Sequence, residues 1–144
     1  MIRLIVQRPP HEPFQVIREE LAAVFNCSTR ASKGVDHADV ARAITFVLAH
    51  LDAALDIEVL AAGLSVGRRT LERRIQNHLG VSPERMITLV RLEVARQMLI
   101  RTAWPVTDVA VAVGFSSHAG MCNVFRRELG HSPGELRRHL AKSE

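Results

Sequence analysis

Leu79-Gly80-Val81-Ser82-Pro83 returns fifty residues later as Leu129-Gly130-His131-Ser132-Pro133, and the likeness extends upstream of both copies. Ahead of the first stands Leu60-Ala61-Ala62-Gly63-Leu64-Ser65-Val66, followed by Leu71 and Ile75. Ahead of the second stands Val109-Ala110-Val111-Ala112-Val113-Gly114-Phe115, followed by Met121 and Phe125. Each copy reads as a short apolar helix centred on alanine, a tight turn, and a second, amphipathic helix. A repeat of this period implies two copies of one supersecondary unit, each too small to bury a core alone. The unit has the pattern of a helix-turn-helix, which presents one helix to a groove of DNA.

Working outward, Gly80 suits the end of the helix expected over 67–79, because glycine takes the left-handed conformation at little cost. Ser82 as N-cap and Pro83 at the first helical position then start a helix over 83–101. That helix is apolar over a wide arc, with Ile87, Val90, Val94 and Met98 joined by Leu89, Leu92 and Leu99. A helix of this kind touches two bodies, so it reads as a strut between the repeats. Trp104-Pro105 separates the strut from helices expected over 106–113 and 117–129, the latter capped by Ser116 or Ser117. Trp104 is expected to pack where strut and second unit meet. A last helix over 133–141 opens with a capping box, Ser132 and Glu135.

Upstream, Asp36 is a plausible N-cap for a helix over 37–52, with Val40, Ala43, Ile44, Val47, Leu48 and Leu51 on one buried face. A short helix over 56–62 carries Ile57, Val59, Leu60 and Ala61. Residues 1–35 read differently: Pro9, Pro10 and Pro13 punctuate them, Gln15 to Phe25 form a candidate short helix, and Asn26 to Gly34 are loop-like. No segment keeps a two-residue alternation. The fold class is therefore all-α: two helix-turn-helix subdomains joined by a long linker helix. The first unit spans about 37–82, the linker about 83–101 and the second unit about 104–141, behind an N-terminal extension or domain remnant over 1–35.

At 144 residues, 47% hydrophobic and 24% charged, the chain is globular in make-up and large enough for one domain or two small ones. No apolar run approaches the roughly 20 residues of a membrane span. Met1-Ile2-Arg3-Leu4-Ile5-Val6 is too short, and too soon broken by Pro9-Pro10, for a signal peptide. The expected compartment is the cytoplasm, with no membrane partner. Cys27 and Cys122 form no C-x-x-C pair, so reduced thiols are expected, with no metal and no cofactor.

A net charge of +4 says less than where the charge sits. Arg68, Arg69, Arg73 and Arg74 fall within seven residues of the 67–79 helix. With Leu71, Ile75 and Leu79 pointing inward, Arg69, Glu72, Arg73 and Gln76 share the outward face at 100° per residue. Arginine is the usual bidentate partner of guanine O6 and N7, and Glu72 suits cytosine N4. Arg68 and Arg74 on the flanks, with Gln76, suit phosphate contacts, which set position without reading sequence. Standing alone, such a cluster is more often a solvated surface. Its place directly after a turn, in one of two matched units, favours DNA.

The second candidate helix has Met121, Val124 and Phe125 inward and His118, Ala119, Cys122 and Asn123 outward. Asn123 suits adenine and Ala119 a thymine methyl; Ser117, Arg126 and Arg127 suit phosphate. His118 is as plausible a solvated residue as a contact. A strut of roughly 19 residues is about 28 Å long, close to the roughly 34 Å between successive major-groove windows. The spacing allows both helices to enter adjacent windows.

These residues resemble the arabinose-regulator family (AraC/XylS type) of bacterial transcription factors, from about His37 to His139. The resemblance is carried by Arg69-Thr70-Leu71-Glu72-Arg73-Arg74, by the two Leu-Gly-x-Ser-Pro segments, by Arg91-Leu92-Glu93-Val94-Ala95-Arg96-Gln97-Met98-Leu99, by Val109–Phe115, and by Phe125-Arg126-Arg127-Glu128. It implies a seven-helix module contacting double-stranded promoter DNA, often activating transcription, with RNA polymerase as a further candidate partner. Carried over by position, the base-reading places fall on Arg69, Glu72, Arg73, His118, Ala119, Cys122 and Asn123. Gly120, Met121 and Asn123 depart from the residues usual in the family, which implies weaker binding by the second helix. A small-molecule effector is implied only if a sensing domain lies upstream. Cys27-Ser28-Thr29 to Val35-Asp36-His37 faintly resembles the junction in xylose-type regulators.

An enzyme is not expected: the seven histidines form no spaced ligand set, and no glycine-rich loop follows a strand. The stronger rival is a helical protein-interaction module that sets its arginine face on an acidic partner.

Overall fold

A computed structural model of the chain describes residues 35–143. The expected helix over Gln15–Phe25, the loop to Gly34, and Cys27 lie outside the described residues. Within them the chain is all-helical: α1 (Val35–Ala49), α2 (Ile57–Leu64), α3 (Arg68–Leu79), α4 (Pro83–Arg101), α5 (Val106–Ala112), α6 (His118–Leu129) and α7 (Pro133–Ser143). None of these is long and apolar enough to cross a membrane. The described residues fall into two compact units that divide between Val90 and Arg91, inside α4.

In the first unit α1 packs on α2 and α3. Its buried face is the expected one: Val40, Ala43, Ile44, Val47 and Leu48, with Leu51 just beyond its end. Two expectations about α1 need correction. The helix already includes Val35 and Asp36, so Asp36 is not its N-cap, and it ends at Ala49 rather than 52. Asp56 caps α2, its carboxylate accepting from Val59 N–H at 2.8 Å, and Ile57, Leu60, Ala61 and Leu64 are buried. Leu71 and Ile75 anchor α3 with no exposed surface. Leu79, expected inward beside them, is 39% exposed. It is the last residue of its helix, where the chain turns away at Gly80 (φ 72°).

Gly63 lies against the Phe46 ring. A Cβ there would stand 2.3 Å from Phe46 Cε2 and 2.7 Å from Cζ. The ring cannot yield freely, because it stacks on His50 with centroids 4.2 Å apart. Gly63→Ala is therefore expected to destabilise the chain by about 1 kcal/mol, overpacking outweighing the helix propensity gained. A urea melt checks this; an unchanged or raised midpoint would mean that the ring swings clear.

The turns of the two units share one backbone design. Ser65 (φ 56°) and Gly114 (φ 93°) are both left-handed. Val66 N–H donates to Ala61 O and Phe115 N–H to Ala110 O, each at 3.0 Å. The second turn is one residue longer. Ser65-Val66-Gly67 leads into α3, whereas Gly114-Phe115-Ser116-Ser117 leads into α6, so the repeat spacing grows from 49 to 50 across the turn.

α4 begins at Pro83 as expected, with Ser82 Oγ accepting from Arg85 N–H at 3.2 Å. Met86, Ile87 and Val90 are buried in its first part, and Leu92, Val94, Ala95, Met98 and Leu99 in its second. Within the second unit α5 packs on α6. Met121 and Phe125 are fully buried, Val124 only half so, and Trp104 is buried. Ser132 Oγ accepts from Glu135 N–H at 3.1 Å and donates to its carboxylate at 3.2 Å, starting α7. Arg137 on α7 reaches back to the end of α4, donating to Leu99 O at 3.3 Å and Thr102 O at 3.1 Å. Burial lowers its pKa from the ordinary value, yet a guanidinium stays charged at any working pH.

Candidate nucleic-acid interface

The N-cap of α3 is Gly67, which has no side chain to cap it, and Arg68 and Arg69 open the helix. Arg69, Arg73 and Gln76 are exposed, and Glu72 is half-buried among them. The face expected to read bases is thus open, while Leu71 and Ile75 hold its back. Arg68, also exposed, pairs with Glu58 of α2 at 3.1 Å. An exposed pair of this kind contributes little, so Arg68 can exchange it for a phosphate.

Arg74 belongs elsewhere. It turns inward and forms a hydrogen-bonded ion pair with Asp39 of α1, a carboxylate that is only 6% exposed. The guanidinium expected to contact phosphate is thus engaged by a buried carboxylate. Arg42 donates to the other oxygen of Asp39 at 3.2 Å and, through its second nitrogen, to Leu64 O at 2.9 Å. Leu64 ends α2. One buried carboxylate therefore ties α1 to α3, and its partner Arg42 ties α1 to the edge of the turn.

Sequence reasoning missed Asp39 and Arg42, although a signal was there. Asp39 stands four and eight residues before Ala43 and Val47, both with no exposed surface, and so on the buried stripe of α1. A carboxylate in that register needs a cation from another element.

α6 is built differently at its start. Ser117, not Ser116, is the cap, and its Oγ accepts from Gly120 N–H at 2.9 Å. A hydroxyl keeps one proton to donate, so capping leaves Ser117 able to contact a phosphate oxygen. His118, Ala119 and Asn123 are exposed, and Cys122 is half-buried. The His118 ring lies along the helix with Nε2 3.5 Å from Cys122 Sγ. Arg126 and Arg127 are exposed farther along, Arg127 with a long 3.4 Å contact to Glu128. Each unit thus presents one open helix face backed by two fully buried residues.

A family model described as a helix-turn-helix domain matches residues 60–139. The HTH-type transcriptional activator RhaS of Escherichia fergusonii is 35% identical over 88 residues, 61% of this chain and 32% of that protein. The chain spans about a third of the length of the curated relatives it matches. An AraC-type transcriptional regulator structure from Chromobacterium violaceum covers 74% of this chain and 95% of its own, at 28% identity and a TM-score of 0.68. The DNA-binding domain of the global transcriptional factor AdpA, solved with a target DNA, covers 74% and 96% at 31% identity, with a TM-score of 0.67.

Proposed function

The chain belongs to the arabinose-regulator (AraC/XylS-type) family of helix-turn-helix proteins, and from that membership we propose that it is a sequence-specific regulator that binds double-stranded promoter DNA through residues 36–144. α3 and α6 each enter a major-groove segment. Arg69, Glu72 and Arg73 read bases from α3; His118, Ala119, Cys122 and Asn123 do so from α6. Arg68, Gln76, Ser117, Arg126 and Arg127 hold phosphates. The regulator activates transcription, as the RhaS activators do, with RNA polymerase as its partner at the promoter and the cytoplasm as its compartment. An effector enters through a sensing domain where one is joined to the module.

One observation carries this reading. Arg69 and Arg73 stand free on a helix whose opposite side is buried to the last atom at Leu71 and Ile75. Selecting bound sequences from a random duplex library tests it. Enrichment of one site, protected as a discrete footprint, is expected; binding without any preference would instead fit an acidic partner for the arginine face.

The phosphate assignments make a separate prediction. Arg126→Ala should weaken all duplexes to a similar degree and reduce the slope of log affinity against log salt by about one. A loss confined to one base pair would move Arg126 into the reading set.

A further inference from the structure

We infer that the two modules take different classes of base pair, α3 a G·C segment and α6 an A·T segment, so that the operator has no internal repeat. The inference rests on the regulator reading above and deepens it. Its ground is that the two helices match in length, burial pattern and C-terminal turn and are unlike in chemistry. From 71 to 80 and from 121 to 130, buried, half-buried and exposed positions succeed each other in the same order. Both helices are twelve residues long and end at a left-handed glycine, Gly80 (φ 72°) and Gly130 (φ 81°). Arg69 therefore corresponds to Ala119, Glu72 to Cys122, Arg73 to Asn123 and Gln76 to Arg126.

At matching places the two faces offer different partners to a base edge. Arg69 and Arg73 present forks of parallel donors, and in the major groove only guanine sets two acceptors, O6 and N7, side by side. Glu72 borders them at the half-buried edge of the face, and its carboxylate accepts from the N4 amino group of cytosine, the base opposite guanine. The set covers both strands of a G·C pair. On α6 the fork is replaced by the Asn123 amide, one donor beside one acceptor, which matches adenine N7 and N6. Ala119 offers only a methyl group, which matches the thymine methyl and no polar atom of a G·C pair. A duplicated fold has thus been given two readings.

The test uses the full chain and the duplex recovered by selection, with base analogues placed one at a time. Replacing guanine by 7-deazaguanine removes N7 and should weaken binding roughly tenfold in the α3 segment. Replacing adenine by 7-deazaadenine should do the same in the α6 segment, and uracil for thymine should cost about threefold. Arg73→Ala should abolish the 7-deazaguanine effect at one guanine of the α3 segment and leave the 7-deazaadenine effect intact, and Asn123→Ala should abolish the 7-deazaadenine effect and leave the 7-deazaguanine effects intact; these responses also identify which segment each helix occupies. Two enriched segments of the same base content would overturn the inference, as would an Asn123→Ala variant that still responds to 7-deazaadenine. Such results leave DNA reading intact, whereas a library that returns no preferred site sinks both.

Discussion

Arg69→Ala and Arg73→Ala will each lose discrimination at one base pair of the operator, by about 1–3 kcal/mol, while affinity for unrelated duplexes falls far less. The size follows from a bidentate bond between a guanidinium and a base edge, made only with the right base. Both side chains are exposed on α3, and folding should therefore survive either change. Competition binding against duplexes mutated singly across the site is the measurement. Unchanged discrimination in both variants would remove these arginines from the reading set and leave them as general anchors.

Asp39→Ala will be the most destabilising change among the polar residues described. It strips the partner from Arg74, whose side chain is only 22% exposed, and from one nitrogen of Arg42. Breaking a buried ion pair by removing one member leaves an uncompensated charge, and about 3 kcal/mol is expected here, since Arg74 retains some access to water. The loss should appear in a chemical melt of the free protein. DNA binding at a temperature where the variant remains folded should weaken as well, because α3 then lacks its tie to α1. A midpoint within error of the parent would mean that Arg74 relaxes into solvent at no cost. Comparing Asp39→Ala with an Asp39→Ala/Arg74→Met double variant separates the two effects: much of the stability should return once the orphaned charge is gone.

Arg73 and Arg74 show how far sequence reasoning reaches and where it stops. They are adjacent, chemically identical and flanked by the same helix. A single-residue step of 100° leaves the first in solvent and brings the second to Asp39, which is 35 residues away in the chain. No local pattern separates their roles until α1 is known to lie against α3. Leu79 makes the converse point. Its spacing from Leu71 and Ile75 places it on the inward stripe, yet the helix terminates there and the side chain stays exposed. Capping residues are more legible, with two exceptions: Asp36, expected as the cap of α1, lies inside it, and Asp56, expected as the first residue of α2, is its cap. Gly80, Ser82-Pro83 and Ser132-Glu135 act within four residues of themselves, and the structure keeps each in the expected place. Ser117 differs from Ser116 only in register, which the longer second turn resolves.

The chain carries within short windows everything needed for its helices, its duplicated turn, the two anchors behind each open face and the family to which it belongs. Those features depend on periodicity and on bonds between near neighbours, and such bonds are written in consecutive residues. Which arginine is surrendered to the interior, how Arg42 closes over the end of α2, and how Arg137 holds the end of α4 emerged only once helices distant in the chain had packed together. A buried charge finds its partner across space, and spacing along the chain does not encode that meeting.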